Sequence, residues 1–128
     1  MTPSPSYDVA AYVWPAYHDE PRARLFFPRG QGEWQSVIDA RPHFDGHRQP
    51  RVPLWGHTNE ADPHVMAMKI DAAADHGVNV FIYDWYWYDR RPFLEDALNL
   101  GYMQAPNHDR MRFYLMWANH DAQTLWDK

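Results

Sequence analysis

Three short segments hold most of the side chains that could do chemistry. They are Trp14-Pro15-Ala16-Tyr17-His18, Asp84-Trp85-Tyr86-Trp87-Tyr88-Asp89 and Trp117-Ala118-Asn119-His120-Asp121. Each sets aromatic rings beside groups that hydrogen-bond. A sugar ring has an apolar C–H face and a rim of hydroxyls, and Trp and Tyr offer a flat apolar plate with a polar handle. The inventory therefore points to glycan binding, with Tyr17, His18, Trp85, Trp87, Trp117, Asn119 and His120 as candidate contacts. Aromatics in strands are also ordinary core residues. Trp14, Phe81, Ile82, Phe113 and Leu115 are read as core, whereas Trp85, Trp87 and Trp117 stand between core and platform. Asp84 is set apart, because a carboxylate inside an aromatic run is costly to bury unless it is paired. It joins the candidate site, with Arg90, Arg91 or an arginine of the long loop as its structural partner in the alternative reading.

Other chemistries lack their signatures. Of eight histidines, His43 and His47 are four apart, but Phe44-Asp45-Gly46 between them reads as a turn and no HExxH accompanies them, so no metal site is expected. There is no GxSxG, GxGxxG or GxxxxGK[ST], and no cofactor is expected. Cysteine is absent, which removes disulfides, thiolate ligands and thiol nucleophiles. Glu33, in Gly32-Glu33-Trp34, reads either as a general acid or base or as a capping or salt-bridging residue.

These side chains must be held by elements that 128 residues supply, about one domain. Met1–Ser6 is Pro/Ser-rich and reads as a disordered start, taken to cover residues 1–7. Val9–Trp14 reads as a buried strand. Tyr17 to Ala61 carries no sustained helical period beyond a possible turn near Trp34–Asp39, and a segment this long without regular structure usually has a function. Asp62-Pro63 opens a helix with Met66, Ile70 and Ala73 on one stripe and Gly77 at its end. Val78–Tyr88 reads as a strand buried on both faces. Pro92 is expected to begin a second helix, with Phe93, Leu94, Ala97 and Leu98 on one side and Gly101 at its end, before a strand over Met111–Ala118. Alternating strands and helices predict an α/β fold of parallel β/α units with right-handed crossovers. Three strands leave one sheet face bare. The chain is therefore expected either to oligomerise or to be the front part of a TIM-type (β/α)8 barrel, incomplete here. In such folds the site lies at the carboxyl ends of the strands, where the three segments fall.

With 12 basic and 17 acidic side chains the net charge is −5, and neither nucleic acid nor an anionic membrane is an expected partner. No apolar run approaches the ~20 residues of a membrane span. The start has no basic, apolar signal-peptide pattern, which leaves the cytoplasm as the default compartment.

Taken together, AYVWPAYH, GEW, ARPHFDGHRQPRVP, ADHGVNVFIYDWYWYD and MRFYLMWANHD occur in the order seen in WbsX / glycoside hydrolase family 99-like proteins, and the chain resembles their N-terminal part from Asp8 onward. The resemblance implies a partial barrel over residues 8–128 acting on glycans, as a hydrolase of the endo-mannosidase type or a polysaccharide-biosynthesis glycosyltransferase. It adds Trp34, His47 and Gln49 to Glu33 and the strand-end residues as expected substrate contacts. It places the catalytic glutamates in later strands, beyond Lys128, so no catalytic residue is assigned and this chain alone is expected to be inactive. The chain departs from the family at His120, where many relatives carry Glu, and at Asp84, where an aromatic is common. The alternative is a small non-catalytic carbohydrate-binding module using the same aromatics.

Overall fold

The computed structural model describes residues 7–119. Its elements are β1 (Ala10–Val13), α1 (Trp34–Ile38), α2 (Pro63–Asp75), β2 (Val80–Tyr88), β3 (Arg91–Phe93) and β4 (Arg112–Trp117), with 3-10 turns at Pro21–Leu25 and His108–Arg110 and a π turn at Ala97–Tyr102. β2 is the middle strand of a parallel sheet. β1 pairs with it from Ala10 opposite Val80 to Val13 opposite Tyr83. β4 pairs on the other side from Arg112 opposite Val80 to Trp117 opposite Trp85. The expected α/β class, with a parallel sheet, is the observed one. No helix among the described residues is long and apolar enough to cross a membrane.

α2 forms where its caps predict. The Asp62 carboxylate accepts from the backbone N–H of His64 at 2.8 Å and of Val65 at 3.4 Å, and Pro63 occupies the first turn, where its missing N–H costs nothing. Gly77 follows the helix at φ 89°, the left-handed geometry that glycine takes without strain. Met66 and Ile70 are buried and pack on Phe81 and Tyr83 of β2, with Leu98, Tyr102 and Met111 closing the core. The Asn107 amide donates to the Ala67 carbonyl at 2.9 Å and to Asp71 at 2.6 Å, tying the approach to β4 onto this helix.

The helix expected from Pro92 does not form. Asp89 and Arg90 both lie in the left-handed region, at φ 51° and 58°, as a two-residue type I′ hairpin requires. Arg91–Phe93 therefore returns antiparallel along the end of β2, Tyr86 opposite Phe93. Leu94, at φ 59°, breaks any helical run, and only the π turn remains of the expected helix. The apolar spacing was compatible with a helix, but the hairpin supplies the backbone hydrogen bonds instead.

One sheet face lacks helical cover among the described residues, as expected of three parallel strands. Side chains alternate along a strand, so Phe81 and Tyr83 face α2 while Ile82, Asp84, Tyr86 and Tyr88 face the other way. Among the described residues no α-helix lies over that second face, and its carboxyl end, at Tyr86 and Tyr88, is buried, clustered with Ala16, Ala23, Phe93 and Leu94. Tyr12 and Tyr114, flanking Ile82 in register, are 71% and 52% exposed. β4 is exposed at every position, so Phe113 and Leu115 are not the full core residues expected, whereas Phe81 and Ile82 are.

Candidate functional site

The site is built around Gly32-Glu33-Trp34, in the long loop after β1. Gly32 sits at φ 57°, and a Cβ there would fall 2.1 Å from the His18 carbonyl oxygen and 2.4 Å from that of Ala16. Only glycine lets the loop lie so close to the end of β1. The Glu33 N–H then donates to the Ala16 carbonyl at 3.0 Å, and the next two side chains diverge. The Glu33 carboxylate accepts from the Trp14 indole N–H. Trp34 packs on Tyr17, ring centroids 4.4 Å apart, and donates its indole N–H to the Thr58 carbonyl at 2.7 Å.

Glu33 and Trp14 form part of the wall of a cavity of about 180 Å³, with Ala16, Ala23, Phe27, Tyr86, Tyr88, Phe93 and Leu94. It lies at the carboxyl ends of β1 and β2, where a parallel sheet splays its loops. Trp14 meets Tyr86 edge-on at 5.6 Å, and Tyr86 and Tyr88 stack at 5.7 Å. Arg22 fixes the far wall. Its guanidinium donates to the Tyr88 carbonyl at 3.0 Å and the Pro92 carbonyl at 3.2 Å and lies 5.3 Å from the centre of the Phe93 ring. Burial, then the charges of Asp84, Tyr88 and Glu33, push the Tyr86 hydroxyl up to about 12. It stays a neutral donor and acceptor, and both carboxylates act on it.

Trp14 is therefore a cavity wall, 41% exposed, and not the core residue expected. Tyr86 and Tyr88 were not among the expected substrate contacts. The usable signal was their even spacing with Ile82 and Asp84, which puts them on the face without α2. Glu33 precedes α1 but makes no capping hydrogen bond; its carboxylate bonds the Trp14 indole and lines the cavity. Burial raises the Asp84 carboxyl above its usual range. One of its oxygens has no hydrogen-bond partner, and none of the ion pairs with Arg90, Arg91 or a loop arginine foreseen for it is formed among the described residues.

The remaining expected contacts fall into separate groups. Trp85, Trp87 and Trp117 form their own cluster, Trp85 lying 5.8 Å from Trp87 and 5.4 Å from Trp117. Alternation places it on the opposite sheet face from Tyr86. Tyr17, His18 and Trp34 line a smaller cleft with His57, Thr58 and Asn59. His47 stacks on Phe44 at 4.7 Å, and its ring lies 3.3 Å from the Gln49 amide; neither His47 nor Gln49 lines the cavity. Asn119 is exposed, and His120 lies outside the described residues. Apart from these groups, one ring nitrogen of His18 and single carboxylate oxygens of Glu20 and Asp96 lie within 4.8 Å of one another. Sequence reasoning missed this trio, because 76 residues separate Glu20 from Asp96 and no local motif joins them.

The parallel sheet thus carries at its strand ends a cavity with apolar aromatic plates beside a carboxylate and a phenol. The chain belongs to the WbsX family: the family model described as Glycosyltransferase WbsX matches residues 9–128. That places it in a carbohydrate-active, polysaccharide-related family. It is also 29% identical over 120 residues to the uncharacterized protein WxcX of Xanthomonas campestris pv. campestris, in strains B100 and ATCC 33913 alike. The match covers 93% of this chain and 17% of each relative, so the chain spans about a sixth of the length of the curated relatives it matches. No solved structure matches it.

Proposed function

We propose that this chain is the glycan-binding front part of a (β/α)8-type barrel enzyme, and that the cavity beside Glu33 takes one sugar ring. The observation that carries the reading is the cavity itself. Trp14, Tyr86, Tyr88 and Phe93 supply apolar plates, and the Glu33 carboxylate and Tyr86 hydroxyl supply hydrogen-bonding edges. Its size, below the ~300 Å³ at which pockets for larger ligands begin, suits one ring rather than a chain. The barrel part is supported by the parallel β1–β2–β4 order, with α2 on one face and an uncovered apolar face opposite, which in a closed barrel would line the interior. Cleavage or transfer of a glycosidic bond requires a pair of carboxyl groups. Glu33 and Asp84 both lie near Tyr86, but Asp84 is not in the cavity wall, so the chain alone is expected to bind without turnover.

The test is titration with mannose, glucose, galactose and rhamnose and their disaccharides, followed by saturation-transfer NMR. Trp14→Ala and Glu33→Gln should each weaken binding at least tenfold, with Trp87→Ala unchanged. The reverse pattern would move the site to the Trp85–Trp87–Trp117 cluster, and no binding of any probe would end the proposal.

A further inference from the structure

We propose that His18, Glu20 and Asp96 form a divalent-metal site, suited to zinc or manganese, that clamps the loop after β1 to the connection after β3. His18 is 1% exposed, yet neither ring nitrogen has a hydrogen-bond partner. A buried imidazole without partners is costly.

Among the described residues the carboxylates are also without a cation. Glu20, buried, caps the Pro21–Leu25 turn by accepting from the Arg22 N–H at 3.1 Å. Asp96 precedes the π turn and makes no capping bond. Neither enters an ion pair among the described residues, and the nearby Arg22 guanidinium is committed to the Tyr88 and Pro92 carbonyls. Two carboxylates thus converge on a buried imidazole whose ring nitrogens have no hydrogen-bond partner. One imidazole with two carboxylates favours zinc or manganese over magnesium or calcium, which take oxygen ligands. Ligand atoms bound tetrahedrally at ~2.1 Å lie about 3.4 Å apart, so the present spread of up to 4.8 Å must close by more than an ångström on binding. Three protein ligands leave a coordination position for water. Ala23 and Leu94, neighbours of the ligands in sequence, line the aromatic cavity, so the ion would stiffen its walls.

The test is calorimetric titration of the full, chelator-stripped chain with zinc chloride and with manganese chloride. One equivalent of one ion should bind with a micromolar or tighter dissociation constant, and saturating ion should raise the thermal midpoint by several degrees. Asp96→Asn and Glu20→Gln, both near-isosteric, should each weaken binding at least tenfold and abolish the thermal shift, while the paired His43→Ala and His47→Ala change leaves both intact. Equal binding by all variants would assign the ion to surface histidines and overturn the proposal, as would no binding. If an unloaded variant fails to fold by circular dichroism, the His18 imidazole resonances of the unsubstituted chain decide: a shift at one equivalent supports the site, and no shift overturns it.

Discussion

Glu33 and Glu60 show how one residue type takes two roles in this chain. Glu33 faces the cavity beside Trp14. Glu60 is 6% exposed, pairs with Lys69 at 2.5 Å, and leaves its second oxygen without a partner. Burial raises its carboxyl above the usual range, against the opposing pull of Lys69. The folded chain therefore holds the Glu60 proton more tightly than the unfolded chain. That contribution to stability is complete below the unfolded value of ~4.3 and is lost as pH rises through the raised folded value. Glu60→Gln should flatten this slope, so urea midpoints measured from pH 4.5 to 7.5 should fall less for the variant. Parallel curves would place the dependence on another group. Glu60 was not singled out in the sequence, because nothing local marks it as buried; α2 and the Tyr17 carbonyl, which accepts from its N–H at 3.0 Å, decide that.

At the scale of elements, the caps and glycines carry separable predictions. Asp62→Ala removes the acceptor for two N–H groups at the start of α2 and should cost about 1 kcal/mol, read as a shift of the denaturation midpoint with an unchanged slope. Gly56 (φ 73°) has open space around its missing Cβ, so Gly56→Ala should cost only its backbone strain, about 1 kcal/mol. Gly32→Ala adds a collision with two backbone carbonyls and should cost more, ~2 kcal/mol or above. It should also lower sugar binding, because Glu33 can no longer reach Trp14. Equal costs for the two glycines would show that the loop relaxes freely. α2 and the strands were legible because their patterns are local: an N-cap, an apolar stripe, a β-branched and aromatic run. The β2–β3 hairpin was not, since Asp89-Arg90 carries no Asn-Gly signal and Pro92 with its apolar followers imitates a helix start.

For the whole molecule, the uncovered sheet face is the dominant fact. Tyr12, Tyr114 and Met116 lie on it with Ile82 and Asp84 between them, an apolar surface of the kind monomers rarely leave contiguous. The chain by itself should bind ANS and self-associate in light scattering, and the paired substitution Tyr12→Lys and Tyr114→Lys should reduce both. A monodisperse monomer without ANS binding would show that the face tolerates water.

The sequence by itself determined the alternation of strands and helix, the caps of α2, the parallel α/β class, and the gathering of aromatics with carboxylates and amides at strand ends. Each is written in contacts a few residues apart, and the family motifs lie in the same runs. Only the tertiary structure decided how those residues are shared out. Register and alternation sent Trp85, Trp87 and Trp117 to one face and Tyr86 and Tyr88 to the other. The close approach permitted by Gly32 brought Glu33 to Trp14, and folding across 76 residues set Asp96 beside His18 and Glu20. Pairings over such separations depend on which surfaces pack together, and no local pattern encodes that.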